Sequence, residues 1–207
     1  MPAETCYPGY SGATPSSRMT VMAALALPLL VLVIDAVIFT TDLPYAVLGL
    51  LDETAHLATV ALLLLTVHLW EPLLSRFTVA ALVAGVAIDV DHIPGVIFGS
   101  QWLTVGTPRP YPHSLLTVLA ILLVGGILRG QAGLLAAGAA TGVGLHLLRD
   151  LSWGNASLLW PISKFGFHLP YWLYVVALAA ASALCLAAAR SGRCAPMRTQ
   201  GGNDSDN

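Results

Sequence analysis

The side chains of this chain that can do chemistry fall in a few places. His56 follows Asp52 and Glu53 by four and three residues. Asp89, Asp91 and His92 lie within four residues of one another at the end of an apolar run, with Pro94 close behind. His113 stands alone, and His146 and Asp150 are four apart. On a helix, residues four apart share a face one turn apart, and residues three apart, such as Asp89 and His92, are also neighbours. Pro94 predicts that the helix before it ends or distorts, which would let Asp91 turn toward the same centre. Imidazole nitrogen mixed with carboxylate oxygen suits zinc, manganese or iron. Three histidines and two or three carboxylates suffice for more than one ion. The bland reading of each piece is an interfacial or hydrogen-bonded side chain. Three ionisable groups within four residues of an apolar helix, however, demand compensation. His68 is expected to have no part in a site. Asp35 reads as a partner of a ligand or an interfacial residue, and His168 as a substrate contact, an extra ligand or a loop residue.

The elements that must position these groups are hydrophobic. Of 207 residues, 57% are apolar and 10% charged, and the mean hydropathy is +0.77. Soluble domains carry about 25% charged residues. The composition therefore excludes an ordinary cytosolic enzyme, a disordered chain and a nucleic-acid binder with a basic face, and a net charge of −2 gives no reason to expect a polyanion partner. The expected fold class is all-α, a polytopic membrane bundle of about six helices. Apolar segments run over 20–40, 55–70, 78–98, 114–128, 132–148 and 170–189. Residues 1–17 and 191–207 read as disordered tails around a single domain, 18–190. Val21 to Phe39 is too long for a signal peptide and reads as a retained span. Gly138, Gly142, Gly144 and Ala177 to Ala183 suit close helix packing. Cys6, Cys185 and Cys194 show no metal spacing, and Cys185 reads as a packed apolar residue.

With both termini inside, Arg18, Arg76, Arg129, Arg190, Arg193 and Arg198 face the cytoplasm, and Arg109, Arg149 and Lys164 the other side. The positive-inside rule favours that orientation. It brings His56, Asp89, Asp91, His92, His113, His146, Asp150 and His168 to the extracytoplasmic end, and leaves only His68 at the other. Trp153, Trp160, Tyr171 and Trp172 would form an aromatic belt there.

Four motifs occur in order: Ala87-Ile88-Asp89-Val90-Asp91-His92, Pro112-His113-Ser114-Leu115-Leu116, His146-Leu147-Leu148-Arg149-Asp150 and Leu158-Leu159-Trp160-Pro161. Together they resemble the YdjM-like family of LexA-associated, inner-membrane metal-dependent hydrolases. His56 in Asp-Glu-Thr-Ala-His matches that family's early histidine, and the resemblance covers residues 50–175. His146-x-x-x-Asp150 is also similar, more distantly, to a step in zinc-dependent phospholipase C and single-strand nucleases. The resemblance implies a bacterial inner-membrane hydrolase that binds a divalent metal, zinc first and manganese second. His56, His113, His146 and Asp150 would be ligands. Asp89, Asp91 and His92 would be further ligands, with a carboxylate of Asp89 or Asp91 bridging ions or acting as base. Arg109 or Arg149 would bind an anionic head group, and the substrate would be a lipid or lipid-linked phosphoester. Many members carry a further His where this chain has Pro108, and the segment Leu151-Ser152-Trp153-Gly154-Asn155 is also a variant. An acid-phosphatase-like lipid phosphatase is disfavoured, because Ala139-Ala140 stands where its motif needs Ser-Arg. The competing class is a metal-ion or proton transporter with a His/Asp site.

Overall fold

A backbone surrounded by hydrocarbon must pair its own amides and carbonyls, and the α-helix does this within one segment. The computed structural model describes residues 17–71, 73–93, 98, 103 and 105–191. Among these are six α-helices: α1 (Ser17–Thr40), α2 (Tyr45–Trp70), α3 (Ser75–Ala87), α4 (Leu115–Leu128), α5 (Gly130–Trp153) and α6 (Tyr171–Arg190). A 3-10 turn, Ile88–His92, continues α3. The architecture is all-helical, as the hydropathy predicts. The expected tails, with Cys6 and Cys194, lie outside the described residues apart from Ser17 and Ser191, as does Pro94.

Four helices, α1, α2, α5 and α6, are long and apolar enough to cross a membrane. The helix number agrees with the expected six, and the bounds of several segments differ. α2 has 26 residues and α5 has 24, well beyond 55–70 and 132–148. Their polar ends looked like boundaries but are helical, because Asp52, Arg149 and Asp150 find partners inside the bundle. α3 and α4 are short, at 13 and 14 residues. The expected span 78–98 leaves α-geometry at Ala87, earlier than Pro94 implied.

α1, α2 and α6 pack around Ala24, Val31, Ile34, Ala55, Leu62, Tyr174, Leu178 and Cys185. Cys185 is fully buried beside Thr66, in keeping with an apolar role. α3 lies against α2 through Val60, Leu64 and Ala81, and against α5 most extensively of all. α4 leans on α5. Outward faces are apolar: Leu25, Leu29, Val33, Leu123 and Ile127 are all exposed. So large an apolar exterior fits a lipid-facing surface.

Two loops close one end of the bundle. The chain over 154–170 turns back on itself at an antiparallel bridge between Ala156 and Phe167. It meets the segment before α4 through the Leu115 amide, which donates to the Leu158 carbonyl at 2.9 Å. Lys164 Nζ donates to the Val105 carbonyl at 3.2 Å, and Tyr111 stacks on Trp160 at 4.4 Å. Ser114 accepts from the Thr117 amide and starts α4 beneath this pair of loops.

Candidate metal centre

α5 carries a stripe of residues one turn apart: Gly138, Gly142, His146 and Asp150. The two glycines let α3 come close. A Cβ on Gly142 would run into the Ala81 carbonyl, and one on Gly138 into the Phe77 carbonyl. With α3 at this range, His146 Nδ1 reaches the Gly85 carbonyl at 2.7 Å. A carbonyl only accepts, so Nδ1 carries a proton and Nε2 faces inward. Gly144, also expected to serve packing, has open space beside it.

His146 Nε2 lies 3.3 Å from Asp150 Oδ2 and 3.4 Å from Asp89 Oδ1. His56, from α2, stacks flat on His146 with ring centroids 3.7 Å apart. Its Nε2 is 3.6 Å from Asp150 Oδ1. Beyond α3 the tighter 3-10 winding eclipses residues three apart, and His92 Nε2 accordingly lies 3.6 Å from Asp89 Oδ1. His113, from the loop before α4, stands between the two aspartates of that turn. Its Nε2 is 2.7 Å from Asp89 Oδ1 and its Nδ1 is 3.2 Å from Asp91 Oδ2. Burial opposes a charge on this ring, but the hydrogen bond to Asp89 and the pairing with Asp91 outweigh it and raise its pKa above the usual histidine value.

The structure thus brings together all seven residues expected as ligands, from α2, the 3-10 turn, the loop and α5. They form two groups able to hold a metal ion, Asp89/Asp91/His92/His113 and His56/His146/Asp150, with the donor atoms of each group within 4.8 Å of one another. Ligands each about 2.1 Å from one ion stand roughly 3–3.5 Å apart, close to the spacings above. Asp91 Oδ1, His92 Nε2, His146 Nε2 and Asp150 Oδ2 are buried without a hydrogen bond, with only one another and the neighbouring candidate ligands at 3.3–3.9 Å. Burying such atoms without a hydrogen bond is costly, and a cation is the partner this donor set fits.

Of the two arginines expected near a head group, Arg109 is at the centre, with Nη2 3.1 Å from Asp150 Oδ1. Arg149 corrects the expectation. It is fully buried and bound to Asp35 by Nη1 at 3.2 Å and Nη2 at 2.7 Å. It is also bound to Asp52 Oδ1 by Nε and Nη2. Tyr171 completes the group by donating to Asp35 at 2.8 Å. Consecutive residues on a helix point about 100° apart. Asp150 therefore faces the centre while Arg149 faces α1 and α2. Trp153 and Tyr171 pack around this ion cluster, and Trp160 stacks on Tyr111. Of the expected aromatic belt, only Trp172 is strongly exposed.

Glu53 is a neighbour that the ligand spacing did not single out. Its carboxyl lies against Asp89 and near His146, and its Oε2 is buried without a hydrogen bond. Its place three residues before His56, on one face of α2, was the available signal. His168 stays out, exposed and paired with the Gly154 carbonyl at 2.9 Å. His68 accepts from the Leu73 amide at 3.0 Å at the far end of α2. No known family profile, curated protein or solved structure matches the chain.

Proposed function

We propose that this chain is a membrane-embedded hydrolase that uses a divalent cation, zinc first and manganese second, to cleave a phosphoester or a lipid-linked substrate. The observation that carries the reading is the convergence of four imidazoles and three carboxylates, several of their inward atoms buried without a hydrogen bond, at one place in a largely apolar bundle. His56, His146 and Asp150 would hold one ion, and Asp89, Asp91, His92 and His113 would hold another or complete the first. A cation there supplies a Lewis acid and lowers the pKa of water. The chain's own groups do the rest. One carboxylate of Asp89 or Asp91 would take the proton of the water that attacks phosphorus, the ester P–O bond would break, and the departing alkoxide would leave as the alcohol with that proton. The segment 105–114 brings His113 to the centre and sets Arg109 beside Asp150. The resemblance to YdjM-like proteins and the positive-inside count support a bacterial inner-membrane setting. Both termini are then cytoplasmic, the site faces outward, and the bilayer itself is the source of substrate.

A transporter is the second reading, and two observations favour it. His56 is the twelfth residue of the 26-residue α2, deeper than its expected place at a helix start. α3 also breaks into a 3-10 turn beside the centre, and broken helices mark many transport sites. Metal analysis of detergent-purified protein comes first. Zinc is expected to co-purify, and to be lost in His146→Ala and Asp150→Ala. Chelator-sensitive phosphoesterase activity would then favour the hydrolase, whereas metal flux into liposomes that depends on Asp89 and His146 would favour the transporter. Protein that takes up no transition metal would sink both metal readings.

A further inference from the structure

Arg109 stands in an unusual relation to the carboxylates around it. Its Nη2 is 3.1 Å from Asp150 Oδ1, the same oxygen that faces His56 Nε2 at 3.6 Å. Asp150 is fully buried, whereas the Arg109 side chain retains 18% exposure. The Arg109 side chain therefore reaches from the buried Asp150 toward the surface. The backbone beneath it is held: Thr107 Oγ1 donates to the Arg109 carbonyl at 2.8 Å, and Lys164 ties down the carbonyl of Val105. The head of the side chain packs beside Gly154, where an added Cβ would be in ordinary contact with Nη2 at 3.6 Å. The other buried cation nearby, Arg149, is saturated by Asp35 and Asp52.

The pairing with Asp150 decides what this guanidinium can bind. Asp150 Oδ1 engages Arg109 Nη2 at 3.1 Å, and the same carboxylate belongs to the His56/His146/Asp150 donor group. While Asp150 holds it, Arg109 is not free for an anion. A divalent cation would draw on that carboxylate and add two positive charges beside the guanidinium. A cation held by His56, His146 and Asp150 would stand at like-charge range from Arg109. An anion placed between the two relieves that repulsion, and the planar fork of a guanidinium matches the oxygens of a phosphate.

We propose that Arg109 and the cation-loaded His/Asp centre together form a phosphate-anion subsite that exists only once the metal is bound, so that metal and anion bind in that order. The inference rests on the metal reading above and names the group the site takes: a phosphate, free or esterified, in preference to a neutral ester. Asp150 holds Arg109 until the cation arrives, and this pairing keeps the empty centre closed to anions.

Isothermal titration of the full-length protein in detergent tests this, with inorganic phosphate as the probe and zinc uptake measured separately. Zinc-loaded wild type is expected to bind phosphate, and chelated wild type not to. Arg109→Gln should bind zinc as well as wild type or better, and bind phosphate roughly tenfold or more weakly. Arg109→Lys should recover part of that loss. Competition by short-chain phosphatidic acid in mixed micelles would identify a lipid phosphate as the source, and competition by a soluble phosphomonoester alone would identify a soluble one. Phosphate binding that persists in Arg109→Gln, or in chelated wild type, would overturn the subsite. Loss of zinc binding in Arg109→Gln would overturn it too, by making Arg109 a support for Asp150. Failure of wild type to take up zinc is a separate result, which removes the metal reading and the subsite with it.

Discussion

Replacing Arg149 by Met would leave Asp35 and Asp52 facing an apolar interior without their counter-charge. Both carboxylates are held by the same guanidinium, and Asp35 is buried. Breaking a buried pair from one side costs about 3–5 kcal/mol, because the orphaned charge remains. Arg149→Met is therefore expected to lower thermal stability in detergent by a large margin. Asp35→Asn combined with Arg149→Met should recover part of the loss, since one stranded charge is gone. An Arg149→Met variant as stable as wild type would show that the cluster contributes nothing net. Asp52 links this cluster to the centre, since its Oδ1 is bound to Arg149 while its Oδ2 lies 3.8 Å from His56.

At the scale of elements, the contact between α3 and α5 sets the geometry of the ligands. Gly142 has no room for a Cβ against the Ala81 carbonyl, and backbone cannot give way as a flexible side chain would. Gly142→Ala should force α3 outward and carry Gly85 away from His146 Nδ1. Overpacking of this kind costs about 1–3 kcal/mol, and zinc affinity should fall with stability, because His146 loses the carbonyl that orients it. Gly144→Ala, on the same helix with open space beside it, should leave zinc affinity unchanged. Zinc titration of the two variants side by side checks the point, and equal affinities would refute it. The 3-10 turn plays the matching part on α3, by swinging Asp89, Asp91 and His92 toward the ring of His113.

For the molecule as a whole, a cation held by side chains from α2, the turn after α3, the loop before α4 and α5 would cross-link distant parts of the chain. A ligand that binds only the native state stabilises it by about 2.7 kcal/mol at a hundredfold excess over Kd. Chelation should therefore lower the melting temperature of purified wild type and leave that of His146→Ala unchanged. A melting temperature insensitive to chelator in wild type would argue against metal at this centre.

Much of this was legible in the chain, and the reason is its scarcity of charge. With charged residues at 10%, each ionisable group inside an apolar segment demanded a partner, and the partners turned out to be one another. Helical class followed from hydropathy, and the pairing of His146 with Asp150 from their spacing on one helix. Helix length did not follow. The boundaries of α2 and α5 depended on Asp52, Arg149 and Asp150 being satisfied internally, and a local window cannot see partners 97 or 114 residues away. Arg149 shows the same limit: its type and position suggested an anion-binding group, and only the packing of α1 and α2 against α5 revealed the two carboxylates that claim it. Composition and spacing alone marked the side chains that could not remain alone in an apolar bundle. Which of them meet at the centre, and which are used up in holding the helices together, was decided by the rotation of each helix about its axis, and that is a property of the packed structure.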